Sequence, residues 1–312
     1  MNHPHRIHPS IPGSWATWLL GALVAVLFAF SYHDVFMWLY DRWIREESYY
    51  SHGFLVPPLV LFLIWRDRRN LLTLQPQVSY LGLSVMLAGL FLLLVSGYFS
   101  VFFTAGFGMI LTLWGLCGFT FGRPVMRRLS FPMFLMVFMV PLPLAIIAGI
   151  SLKMKLMAAS AAVAALDLSG VLAVLDGSTV RLETGDLVTV GYACSGLRSL
   201  ISLIFLGLLF AFLSNFGFLR RMLLFLSSIP IAIFSNMVRV YALCLIAYFW
   251  GSQAIHGLVH DISGYMIFVV AFISLFLVMK LLSWPWFGRR PGGIPAPSPP
   301  SPSEEDPHEP HA

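Results

Sequence analysis

Tyr80–Phe99 reads YLGLSVMLAGLFLLLVSGYF, and Val101–Gly122 continues VFFTAGFGMILTLWGLCGFTFG. No charged residue stands between Arg69 and Arg123. About 20 apolar residues in helical form cover a hydrocarbon core of roughly 30 Å. The stretch therefore predicts two successive membrane spans, near 80–99 and 101–122. Working outward, the same signal recurs near 15–32, 52–65, 129–148, 195–214, 222–248 and 262–283. The pattern predicts an all-α polytopic membrane protein of about eight spans, one integral membrane domain over 1–290. Composition agrees: of 312 residues, 58% are hydrophobic and 11% charged, and the mean hydropathy is +0.83. A soluble domain of this length does not read this way.

The net charge of +5 is spread as short basic loops, not as a nucleic-acid patch. Arg66, Arg68 and Arg69 follow the second span, and Arg123, Arg127 and Arg128 the fourth. Arg220 and Arg221 follow the sixth, Arg289 and Arg290 the eighth. Basic loops stay on the cytoplasmic side, so even-numbered spans end inside and both termini are expected in the cytoplasm. The first span, near Trp15 to Phe30, lacks a small-residue cleavage site and is expected to remain as an anchor. Pro291–Ala312 is rich in Pro, Ser and acids. It is expected to be a disordered cytoplasmic tail.

This topology places 33–51, 149–194 and 249–261 outside. The first loop carries Glu46, Glu47, Tyr49, Tyr50, Ser51 and His52, either a solvated interfacial segment or a substrate contact. In the second, Pro141-Leu142-Pro143 is expected to break or tilt the fifth span. Ser151–Leu166 reads as an interfacial or partly re-entrant helix, with Lys153 and Lys155 snorkelling to headgroups. Thr179–Glu183 and Leu187–Tyr192 then favour a β-hairpin around Thr184-Gly185-Asp186. This small extracytoplasmic hairpin delivers the chain to Cys194 from outside.

Three separate spans bring polar groups to one depth. Cys194 opens the sixth span, and His260 and Asp261 precede the eighth. Arg239 lies about 27 Å beyond Arg221 at 1.5 Å per residue, near the outer edge of the core. A charge in hydrocarbon is costly, so an intramembrane Arg is a functional candidate. A helix N-terminus and a nearby Arg favour a thiolate. Thiol, guanidinium and imidazole on one side of a bilayer are the parts of a thiol-dependent acyl-transfer site. Ser195, Arg198, Asn236 and Asp261 are candidates to support them, Asn236 because it stands one turn before Arg239.

Each residue has a plainer reading. Cys194 is a small residue at a helix start, Arg239 and Arg198 are ion-paired or snorkelling arginines, and Asp261 caps the last helix. His256 and His260 have a His-x3-His metal spacing, a weak signal for a zinc site with Cys194. Cys117 and Cys244 read as packing residues, with a Cys194–Cys244 disulfide as the alternative for the latter. A transporter or channel with an Arg-lined anion site would also explain Arg198 and Arg239. It predicts polar residues along the whole depth, whereas these gather at one face. A non-enzymatic assembly factor would tolerate Cys194→Ser.

The chain resembles the exosortase/archaeosortase family of integral membrane transpeptidases from about Tyr49 to Tyr265. The resemblance is carried by Tyr50-Ser51-His52-Gly53-Phe54-Leu55-Val56-Pro57-Pro58 with Trp65-Arg66, and by Ala193-Cys194-Ser195-Gly196-Leu197-Arg198-Ser199-Leu200. Asn236-Met237-Val238-Arg239-Val240 and His260-Asp261-Ile262-Ser263-Gly264 complete it. It implies Cys194 as nucleophile, Arg239 as stabiliser of the oxyanion or thiolate, and His260 as general acid and base, with no metal or organic cofactor. The third position being His, the bacterial forms are the nearer ones. The implied substrates are exported proteins ending in a Pro-Glu-Pro motif, one transmembrane helix and a basic cluster. The implied setting is the inner membrane of Gram-negative bacteria, with the site facing the periplasm and a link to exopolysaccharide and biofilm. The other implied partners are membrane lipid and an acceptor nucleophile at the cell surface.

Overall fold

The computed structural model describes residues 15–45, 48–191, 195–255 and 257–284, without the side chains of His260 and Asp261. Helix α1 (Trp15–Ser31) bends by 60° into α2 (His33–Ile44). A 3₁₀ turn at Ser51–Leu55 leads into α3 (Val56–Arg66). Pro57 and Pro58 stand at the start of α3, where a missing N–H costs nothing. The short α4 (Arg68–Leu72) follows.

Helices α5 (Tyr80–Phe99) and α6 (Phe102–Phe121) form a close antiparallel pair. Ser79 Oγ accepts the Gly82 N–H and caps α5, and Ser100, at φ 56°, ends it. Gly82 and Gly89 on α5 face Gly115 and Thr112 on α6 so closely that β-carbons there would meet the partner's backbone. Small residues let two backbones approach where lipid supplies no hydrophobic drive between helices.

Helix α7 (Arg123–Leu135) continues as a 3₁₀ turn to Met139. Then α8 (Leu144–Leu168), α9 (Leu197–Leu213), α10 (Phe218–Trp250) and α11 (Leu258–Ser283) complete the helices. Between α8 and α9 lie β1 (Ala173–Asp176), β2 (Thr179–Leu182) and β3 (Leu187–Thr189), antiparallel in the order β1-β2-β3. Val180 pairs with Val188. The buried Val180, Leu182, Val188 and Val190 pack with Ala158, Ala159 and Ala162 of α8 and with Val240, Leu243 and Ala247 of α10.

Among the described residues five helices are long and apolar enough to cross a membrane: α5, α6, α8, α10 and residues 262–283 of α11. The bent α1–α2 pair makes up to six. The chain is an integral membrane protein. Seven of the eight expected stretches are helical over most of their length, but α3, α7 and α9 are shorter than a crossing needs by length alone. The expected fifth span is broken. Its helix ends before Pro141 and Pro143, which remove N–H donors and restrict the residue preceding each. The Ala-rich segment is not a separate interfacial helix over Ser151–Leu166. It belongs to the continuous 25-residue α8. Lys153 is exposed as expected, but Lys155 is buried on the face of α8 that holds Ser151, Met154 and Ala158.

The ends of the bundle differ. Arg128 on α7 binds Asp67 beyond α3 at 2.8 Å, and Phe131 of α7 stacks on Phe212 of α9 with centroids 3.6 Å apart. The sheet caps the opposite end. The expected hairpin is present as β2 and β3. The strand before it, β1, is an addition to the expectation. Residues 291–312 of the expected tail, and Arg289 and Arg290, lie outside the described residues.

Candidate active site

The sheet, the start of α9, the C-terminal half of α10 and the start of α11 converge on one region. Tyr192, Ala193 and Cys194 lie outside the described residues, so the site is defined by what flanks them. Ser195 is fully buried, and its Oγ accepts the Leu197 N–H at 3.4 Å. Gly196 precedes α9 at φ 76°, in the left-handed region that glycine tolerates best. A β-carbon on Gly196 would stand 2.5 Å from Asn236 Cγ. The backbone two residues past Cys194 is thus pressed onto α10, one turn before Arg239.

Arg239 is 8% exposed. Its Nε donates to Ser263 Oγ of α11 at 3.0 Å. A β-carbon on Gly264 would lie 3.6 Å from its Nη2. Ser263 and Gly264 stand three and four residues beyond His260 on the same helix. The guanidinium, carried on α10, is therefore held against the turn of α11 that follows His260, one turn from the contact between Asn236 and Gly196. It is buried and oriented, which sets it apart from a snorkelling arginine at a helix end.

Among the remaining expected residues, Asn236 is 1% exposed and packs on Gly196. Arg198 sits half-buried in the first turn of α9. His260 and Asp261 have helical backbone in α11, and their side chains lie outside the described residues. So do His256, Glu46 and Glu47, and with them the zinc and disulfide alternatives. Cys244 is fully buried in the core under the sheet, and Cys117 packs against the core of the opposite half.

The Tyr49–His52 segment positions the start of α9. Tyr50 packs with Ile147, Met154 and Leu197, and its hydroxyl accepts the Leu142 N–H at 3.2 Å. Burial raises the Tyr50 phenol above its usual pKa, although the Leu142 N–H lowers it. Tyr49 Oη lies 3.3 Å from Ser151 Oγ. His52 Nδ1 lies 3.3 Å from Ser202 Oγ on α9. Gly53 leaves room for the Trp43 indole, whose Nε1 donates to Met139 O at 2.9 Å. Two pieces of the site went unremarked as functional residues in the sequence: Gly196 and Ser263. Both sit within the motifs quoted above, but only contact shows what they do.

A buried, fixed guanidinium beside a helix N-terminus can stabilise negative charge developing on a nearby oxygen. A cleft of about 340 Å³ opens beside it, lined almost entirely by apolar side chains of α10 and α11. A protein-family model described as "Transmembrane exosortase (Exosortase_EpsH)" matches residues 43–277. No curated protein and no solved structure matches the chain.

Proposed function

Because the chain belongs to the transmembrane exosortase family, a family of membrane-embedded protein-sorting transpeptidases, we propose that it cleaves the C-terminal sorting tail of exported proteins through Cys194. His260 takes the thiol proton, and the thiolate attacks the carbonyl carbon of the scissile peptide. The C–S bond forms, and Arg239 stabilises the oxyanion. Collapse breaks the C–N bond. The leaving amine of the tail takes the proton from His260, leaving a thioester on Cys194. An acceptor amine at the cell surface, or water, then attacks the thioester and gives up its proton to His260, which returns it to the Cys194 sulfur.

One observation carries this reading. Gly196, two residues past Cys194, packs on Asn236, and Arg239 one turn later bonds to Ser263, one turn past His260. The three proposed catalytic residues thus belong to backbone segments that meet. The sorting signal is proposed to be a Pro-Glu-Pro motif, an apolar helix and a basic cluster. We take the arginine-rich end of the bundle to face the cytoplasm and the sheet end the periplasm, a reading that the distribution of basic loops supports.

The test co-expresses a tagged reporter bearing such a tail with wild type, Cys194→Ala, Cys117→Ala and Cys244→Ala. Tail removal should depend on Cys194 alone, and the mass of the new C-terminus separates transfer from hydrolysis. Equal cleavage by Cys194→Ala of a reporter that wild type processes would overturn the assignment.

A further inference from the structure

We propose that the cleft between α10 and α11 is the lateral berth for the apolar membrane helix of the protein being cleaved. This rests on the proposed reaction, in which the substrate carries such a helix. The cleft has about 340 Å³ of space, and Arg239 is the single charged side chain among its lining residues. Its walls are ridges. Val238, Ala242 and Ile246 stand four apart on α10, and Ile262, Met266 and Val270 stand four apart on α11. Rows spaced by four are the ridges that helices interdigitate, so two of them side by side form a groove of the shape a third helix fills. Ala242 is small and exposed at the middle of the groove, which allows close approach.

Val238, Ile262, Met266 and Val270 are each more than 40% exposed. Both walls belong to helices apolar and long enough to cross a membrane, so the groove opens sideways into lipid. It follows the helix axes, and Arg239 with Ser263 lies along it. A lipid chain would fill the same apolar space but would bring no peptide carbonyl to the guanidinium. A helix seated there delivers the chain that precedes it to Arg239 and to the loop held by Gly196.

The berth is tested without catalysis. A photo-crosslinking residue, p-benzoylphenylalanine, is placed in the Cys194→Ala protein at Ala242 or Met266. Val269 and Leu277 serve as comparison positions: they are exposed on α11 and do not line the cleft. Each is irradiated in membranes with the tail-bearing reporter. Adducts are expected from Ala242 and Met266, with loss of signal at Val269 and Leu277. Equal adducts at all four positions, or adducts only to lipid, would overturn the berth while leaving the reaction intact. Groove adducts with a reporter that wild type never cleaves would uphold the berth and overturn the reaction. As a second arm, Ala242→Trp should slow processing of the anchored reporter by roughly tenfold or more, the low end of overpacking a fitted surface. Cleavage of a soluble peptide with the same cleavage segment and no helix should be unchanged. Equal loss on both substrates would count against the berth.

Discussion

Gly196 lies so close to Asn236 that a β-carbon on it would stand 2.5 Å from Asn236 Cγ. The contact couples the loop that follows Cys194 to the helix that carries Arg239. Gly196→Ala adds that carbon and also forces an L-residue to φ 76°, a conformation costing roughly 1–2 kcal/mol. The variant is expected to accumulate in membranes but to lose on the order of 100-fold in processing rate, the scale of a 1 Å misplacement. Reporter cleavage normalised to membrane protein level measures it, and near-wild-type cleavage would show that the contact does not set the nucleophile's position.

The role proposed for Arg239 depends on geometry as well as charge. Arg239→Gln should lower the processing rate on the order of 100- to 1000-fold, the cost of removing one oxyanion donor. Arg239→Lys keeps the charge but loses the Nε bond to Ser263, and lysine does not replace an oriented guanidinium. It is expected to retain less than roughly a tenth of wild-type rate. Ser263 is a positioning residue: Ser263→Ala should be slower and Ser263→Thr should rescue it. A Thr variant no better than the Ala variant would mean that the hydroxyl holds nothing in place.

Much of the helical layout is legible because a lipid-embedded backbone must satisfy itself, and apolar length records that need. The boundaries near 140 are not legible in the same way. Met136–Val140 is as apolar as the span before it, so hydropathy runs on past the break that Pro141 and Pro143 impose. The continuity of α8 is not legible either, because Ala158, Ala159 and Ala162 look merely small in the sequence. Their partners on α10 and the sheet are far away in the chain. Strand β1 has four residues and no alternation, and its pairing with β2 is what makes it a strand. At the site, Cys194, Arg239 and His260 stand out by chemistry. Gly196 and Ser263 become meaningful only through Asn236 and Arg239.

The α5–α6 pair gives a comparison within one pair of helices. Gly89 faces the backbone of Thr112, and Gly115 faces the backbone of Met86 across the pair. Gly97, on α5, has nothing within 4 Å of the position a β-carbon would take. Gly115→Ala should therefore destabilise by about 1–3 kcal/mol, the usual cost of overpacking. Gly97→Ala should be neutral or slightly stabilising, since alanine is the better helix former. Thermal unfolding in detergent, followed by aggregation, separates them. Equal melting temperatures would mean that the helix pair yields without cost.

Two carboxylates tie the sheet region to the end of α10 and the turn after it: Glu183 Oε1 accepts the Tyr248 hydroxyl at 3.1 Å, and Asp186 binds Ser252. Asp186 Oδ1 accepts the Ser252 N–H at 2.8 Å, and the Thr184 hydroxyl donates to Oδ2 at 2.9 Å. The Ser252 backbone N–H, the Ser252 hydroxyl and the Thr184 hydroxyl hold the Asp186 carboxyl below its usual range, burial opposing them. A depressed folded pKa means that the Asp186 tie is complete above the unfolded value, about 3.9. It is lost as pH falls through the lower folded value. Amide-exchange protection over 187–191, the segment that leads to Cys194, should hold from pH 7 to about 5 and fall only below about 4. Asp186→Asn should lower that protection even at pH 7, because an amide is a weaker acceptor than a carboxylate. It should slow processing several-fold, far less than Arg239→Gln, since Asp186 acts only on the chain that leads toward Cys194. Protection that fell already between pH 7 and 5 would assign the tie to another titrating group.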